Sequence, residues 1–183
     1  MKNPEVQEKI NNEIDNALFW SDDKVLSFDM VEKMKYLDCC VEETCRKYPV
    51  IPVISRIASK DFKIDEKLLI PEGTSVLIPV LGFHRDPDIY ENPMKFQPER
   101  FLNSANGNGK STGVFHLSFG AGPRNCNSIK LGKTIIKIGI VQILSKFLLS
   151  FSDPDMMNGE LKFHPNQVIL TPVKKFQIKL TER

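Results

Sequence analysis

The 183 residues, 20.9 kDa in mass, suit one domain of common size, long enough to bury roughly 70% of its unfolded surface. A content of 41% hydrophobic and 26% charged residues, with 10 Gly and 12 Pro, excludes a disordered, collagenous or low-complexity chain. Lys and Arg number 25 against 23 Asp and Glu, and a formal net charge of +2 argues against a nucleic-acid or acidic-lipid binder defined by bulk charge.

In chain order, residues 5 to 48 read as helix. Val6, Ile10, Ile14 and Leu18 share one face, and Asn3 with Pro4 makes an N-cap and first-turn pair. After a polar turn at Ser21 to Asp23, a second helical region runs to Tyr48 and stops before Pro49. From Val50 to about Phe101 short apolar runs alternate with Pro and Gly. Leu68 to Ile70 and Val76 to Ile78 are expected strands joined through Pro71-Glu72-Gly73, and Asp86 to Pro98 an irregular but ordered loop. Asn103 to Gly113, rich in Gly, Ser and Asn, is expected to be exposed and mobile. The loop FGAGPRNC, 119 to 126, leads into an expected buried helix from about Ser128 to Phe151. Segments around Val168 to Leu170 and Phe176 to Leu180 read as closing strands.

Cys39, Cys40, Cys45 and Cys126 form one cluster and one distant singleton, without a CxxC pair, which suits a reducing compartment. The N-terminus opens into a polar helical pattern and shows no signal peptide or membrane anchor. Lys137, Gln142 and Lys146 interrupt the most apolar stretch, Ile135 to Phe151, which falls short of the roughly 20 apolar residues of a spanning helix.

Cys126 stands just before a helix, in a loop with Gly120, Gly122 and Arg124. Backbone N–H groups at a helix start suit a thiolate. Glycines let a flat ligand approach the backbone, and an Arg pairs with a carboxylate. The combination suits axial ligation of haem iron. Taken alone, the loop fits a buried free cysteine near a turn better than a haem ligand.

The loop resembles the haem-binding pattern Phe-x-x-Gly-x-Arg-x-Cys-x-Gly of the cytochrome P-450 superfamily, matched by Phe119, Gly122, Arg124 and Cys126. Glu43 and Arg46 in EETCR match the family's Glu-x-x-Arg helix, and NPMKFQPERF, 92 to 101, matches the loop that supplies Arg100. The resemblance implies an α+β, mainly helical fold. Residues 1–183 would be the C-terminal, proximal haem side of that fold, with small β-sheets and a buried helix after the haem-ligating loop. It implies Cys126 as the proximal thiolate ligand and sole metal ligand, and Arg124 as a haem-propionate partner. It also implies Phe119 as a packing residue beside the sulfur, and Arg56, in VISRIASKD, as a second propionate-binding residue. Glu43 and Arg46, one helical turn apart, can share a buried ion network with Arg100. Val50, Ile51, Val53 and Ile54 resemble the segment lining a substrate pocket, although core packing explains them equally well. His84 is expected to be structural, and His116 and His164 surface residues, since no second ligand stands at a metal-site spacing from either.

Ser128 stands where the family usually has Gly, Asn127 where it has an apolar residue and Cys45 where it has Leu. The Ser128 hydroxyl is expected to alter hydrogen bonding around the sulfur. The family's membrane anchor and long distal helix have no counterpart in these residues. By resemblance the function is a haem-thiolate monooxygenase acting on an apolar small molecule or lipid, seen as a C-terminal fragment. The alternative is a truncated, catalytically inactive haem-binding or interaction protein. MKYLD, RKYP and LIPVLGFHRDP look most like microsomal insect enzymes. That likeness implies an endoplasmic-reticulum location, reached only through an anchor missing here, and no nucleic-acid partner. It also implies an NADPH-dependent flavoprotein reductase docking near Lys130 and Lys133.

Overall fold

Ile10 and Ile14 lie one turn apart on the first helix and are both buried, which sets the face along which it packs. The computed structural model describes residues 2–21, 25–102, 116–152 and 161–183. Helix α1 spans Pro4–Phe19, α2 Phe28–Glu32, α3 Lys35–Lys47, α4 Val80–His84 and α5 Ile129–Leu144. The core gathers Ile10 and Ile14 of α1, Val31 of α2, Met34, Leu37 and Cys40 at and within α3, and Val141 and Leu144 of α5. Each fully buried Ile or Leu there is worth roughly 1.5–3 kcal/mol over its exposed state.

Asn3 is the N-cap of α1, but its side chain makes no capping bond; its backbone carbonyl accepts from Val6 N–H at 3.1 Å. The second helical region is two helices. Ser27 caps α2 by accepting from Met30 N–H, and the chain turns extended at Met34 before α3 begins.

Among the described residues, three two-stranded antiparallel sheets accompany the helices. Strands β1 (Ile54–Ile57) and β4 (Ser75–Ile78) pair with Ile54 opposite Ile78, and β2 (Phe62–Lys63) pairs with β3 (Leu69–Ile70). The two strands expected at 68–70 and 76–78 therefore do not face each other. They follow one another along the return leg of a single long hairpin, whose tip is held by Asp65 accepting from Lys67 and Leu68 N–H. Pro71-Glu72-Gly73 is a kink in that leg: Gly73 takes φ +79°, which a side chain would strain, and donates to Ala58 O at 2.8 Å.

The expected helix to Phe151 ends instead at Leu144, and Phe147–Phe151 forms strand β5, paired with β6 (Ile178–Glu182). Phe147, Leu149 and Phe151 alternate inward with period two, which a strand satisfies and a helix does not. Nor is α5 buried all round: Thr134, Lys137, Val141 and Leu144 are buried, whereas Leu131 and Ile135 are 62% and 61% exposed. Its inner face is tied to α2 by polar bonds, Thr134 Oγ1 to Glu32 Oε1 at 2.7 Å and Lys137 Nζ to the Glu32 carbonyl at 3.0 Å. Val168 to Leu170 is not a strand; Leu170 N–H donates to the Val50 carbonyl at 2.9 Å across a bend. The loop Asn103 to Gly113 lies outside the described residues. Helices with small antiparallel sheets make this an α+β fold.

Candidate functional site

The sequence EETCR puts two neighbouring glutamates on α3, about 100° apart around its axis, so they serve different neighbours. Glu43 turns inward and is wholly buried with Arg46 one turn later. Its carboxylate accepts from Arg46 Nε at 2.7 Å and Nη2 at 2.9 Å, from Gln97 N–H at 2.8 Å and from Arg100 Nε at 3.3 Å. Arg46 donates further to the carbonyls of His84 and Pro93, at 2.5 and 2.7 Å, and its guanidinium lies 5.1 Å from the centre of the Tyr90 ring. Arg100 Nη1 donates to the Glu91 carbonyl at 3.0 Å, while its buried Nη2 finds no hydrogen-bond partner among the described residues. A buried carboxylate satisfied by two guanidinium groups and a backbone N–H is held in place at both ends.

His84 links this network to the cysteine loop. The Leu117 N–H donates to its Nε2 at 3.0 Å, which leaves Nδ1 to carry the proton and donate to the Arg46 carbonyl at 2.9 Å. One residue on, the Ser118 hydroxyl donates to the Cys45 carbonyl at 2.8 Å. The loop thus leaves α3 and α4 already anchored when it reaches Phe119.

From Phe119 the chain makes a tight reversal. Gly120 and Gly122 take φ +75° and +73°, a region where a β-carbon is strained, and Gly122 opens a one-turn 3-10 helix, Gly122–Arg124. The Cys126 N–H closes the reversal on the Phe119 carbonyl at 2.8 Å, and Cys126 emerges exposed, three residues before α5. The other cysteines differ in setting: burial pushes the thiols of Cys39 and Cys45 up to about 11, and that of Cys40 higher still. Arg56, on β1, reaches the same loop: a β-carbon at Gly120 would lie 3.9 Å from its Nη2. Arg124 is exposed on the loop itself. Ser128 has φ −106°, so its backbone does not require the glycine usual in the family, and its side chain makes no capping bond.

Two groupings result: Glu43, Arg46 and Arg100 buried together, and Phe119, Gly122, Arg124 and Cys126 on one loop with Arg56 beside it. His84 and Ser118, which connect them, carry no sequence signal of that role, because their partners are backbone groups far along the chain. His116 is not the expected surface residue. Its side chain is 14% exposed, with Nδ1 3.4 Å from Glu42, and burial together with nearby Lys133 and Arg46 holds its pKa down to about 4. His164 is exposed as expected. Val50, Ile51 and Val53 are exposed and Ile54 is half-buried, so none of the four is packed into the core of the described residues.

The Cytochrome P-450 family model matches residues 1–180. The chain is 37% identical over 182 residues to probable cytochrome P-450 6d5 of Drosophila melanogaster, a match covering 98% of this chain and 34% of that one. It is 34% identical over 184 residues to cytochrome P-450 6d1 of Musca domestica, covering 98% and 34%, and 36% identical over 174 residues to cytochrome P-450 6a2 of Drosophila melanogaster, covering 94% and 33%. The chain belongs to the cytochrome P-450 family, and its similarity is to the insect members. It spans about a third of the length of the curated relatives it matches.

The residues present fit the family's haem. Among the described residues no three His, Cys, Asp or Glu side chains gather as a group that could hold a metal ion. An exposed thiol on a glycine-bent loop, with guanidinium groups at its edge, has the donor set that haem needs, a sulfur for the iron and cations for its carboxylate substituents.

Proposed function

We propose that the chain is the C-terminal, haem-ligating part of a monooxygenase that inserts one atom of O2 into an apolar small molecule or lipid. The observation that carries this reading is Cys126, presented to solvent by a loop anchored through His84 and Ser118 to the buried Glu43–Arg46–Arg100 network. When bound, haem supplies iron that activates dioxygen, and electron donation from the thiolate favours cleavage of the oxygen-oxygen bond. Cys126 would hold the iron, and Arg56 and Arg124 would pair with the carboxylate substituents of the haem. Phe119 would pack beside the sulfur in the haem-bound chain. Gly122 gives the loop its reversal. Val50, Ile51 and Val53, exposed on the segment that leads into β1, form part of an apolar wall for substrate.

The electron donor in this reading is an NADPH-dependent flavoprotein reductase, docking on the face that carries exposed Lys130. The location is the endoplasmic-reticulum membrane, by kinship with the microsomal type. Among the described residues no helix is long and apolar enough to cross a membrane.

Titration of the purified chain with haem tests the reading. Saturable one-to-one binding is expected, with Cys126→Ala altering the spectrum and weakening the binding at least tenfold. Equal affinity and an unchanged spectrum in Cys126→Ala would refute it.

A further inference from the structure

The second glutamate of EETCR, Glu42, faces away from the buried network and toward α5. There it bonds Lys133, whose ammonium stands 5.8 Å over the centre of the Phe119 ring. Phe119 is also held by its carbonyl, through the Cys126 N–H. Ring and carbonyl are therefore fixed from opposite ends of one residue. The side chains of Lys133 and Glu42 are 21% and 16% exposed, so solvent and salt screen this pair less than a surface one. Lys133 is consequently not the free docking charge expected from its position after Cys126.

We propose that the Glu42–Lys133 pair is a positioning device: it clamps Phe119 against α3 and α5 and so fixes the backbone that presents Cys126. Residues 116 to 119 then each have a tie. His116 faces Glu42, Leu117 donates to His84, Ser118 donates to the Cys45 carbonyl, and Phe119 lies under Lys133. The first three ties hold the approach to the loop, and the clamp acts on the residue that bonds Cys126. The consequence for the metal ligand rests on the proposed haem-thiolate function; the clamp itself does not.

Amide hydrogen exchange on the full chain without haem tests the clamp. Lys133→Met and Glu42→Gln should speed exchange at Cys126 N–H about three- to tenfold, the range set by a partly desolvated cation–π contact and ion pair. Lys133→Arg should restore protection to within about twofold. The Gly132 N–H, bonded to the Ser128 carbonyl inside α5, should be unaffected. Unchanged Cys126 exchange in Lys133→Met, equal loosening at Gly132, or no rescue by Lys133→Arg would each overturn the proposal. After haem addition, the thiolate-type ferrous carbonyl signature should fall in Lys133→Met and return in Lys133→Arg. If the exchange pattern holds but the wild-type chain lacks that signature, the haem reading fails and the clamp stands. If the signature is present in every variant and exchange is unchanged, the clamp fails and the haem reading stands.

Discussion

Glu43 accepts from two arginines in a space closed to water, and removing its charge strands both. Breaking a buried ion pair typically costs about 3–5 kcal/mol, far more than an exposed i, i+3 pair contributes. Glu43→Gln should therefore lower the unfolding free energy measured by urea titration by that amount, whereas Glu99→Gln, whose partner Lys9 is half exposed, should change it little. His116 behaves oppositely to a histidine that gains a partner. Burial, with Lys133 and Arg46 nearby, lowers its pKa from 6.5 to about 4, so between those values the unfolded chain takes up a proton that the folded chain refuses. Its contribution is complete above pH 6.5, declines as pH falls and levels off below about 4, an effect on the order of 3 kcal/mol. His116→Gln should flatten that part of the stability profile in denaturant titrations. The motif residues were legible in the sequence because their spacing along helix and loop is local. The burial of His116 was not, since it depends on Glu42, Phe101 and Lys133 arriving from three distant segments.

Among the elements, α3 is the scaffold, for residues 42 to 46 serve both groupings at once. Glu42 reaches α5, Glu43 the arginines, the Cys45 carbonyl the loop and the Arg46 carbonyl His84. The cysteine loop depends on backbone geometry at two glycines, and the two substitutions that bracket it should behave differently. Gly122→Ala meets no neighbouring atom, so its cost is the positive φ alone, about 1–2 kcal/mol. Ser128→Gly removes a side chain without a capping bond and should cost only a few tenths of a kcal/mol. Thermal unfolding of both variants checks the contrast. The sequence placed α1 and the α3 terminus well, because apolar spacing and Pro49 are strong local signals. It overran α5 because Phe147 to Phe151 is as apolar as the helix before it, and only pairing with Ile178–Glu182 makes it a strand. The long hairpin was missed for the same reason: Leu69 and Val76 look like partners by proximity, yet each pairs with an earlier strand.

Across the whole chain, the helical core carries α3 and α5, the hairpin brings Arg56 to the loop, and the buried network fixes the segment from Tyr90 to Phe101. All of these converge on the loop of Cys126. The described surface is also widely apolar, with Val50, Ile57, Leu77, Leu131 and Ile135 exposed, which suits a chain spanning a third of its relatives' length. In the proposed function this assembly presents Cys126 as a thiolate ligand. The most direct measurement is the ferrous carbonyl absorption spectrum of the haem-loaded chain, wild type beside Cys126→Ala and Cys45→Ala. A thiolate-type band is expected in the wild type and in Cys45→Ala, and its loss in Cys126→Ala. A band that survives Cys126→Ala, or one that only Cys45→Ala removes, would contradict it.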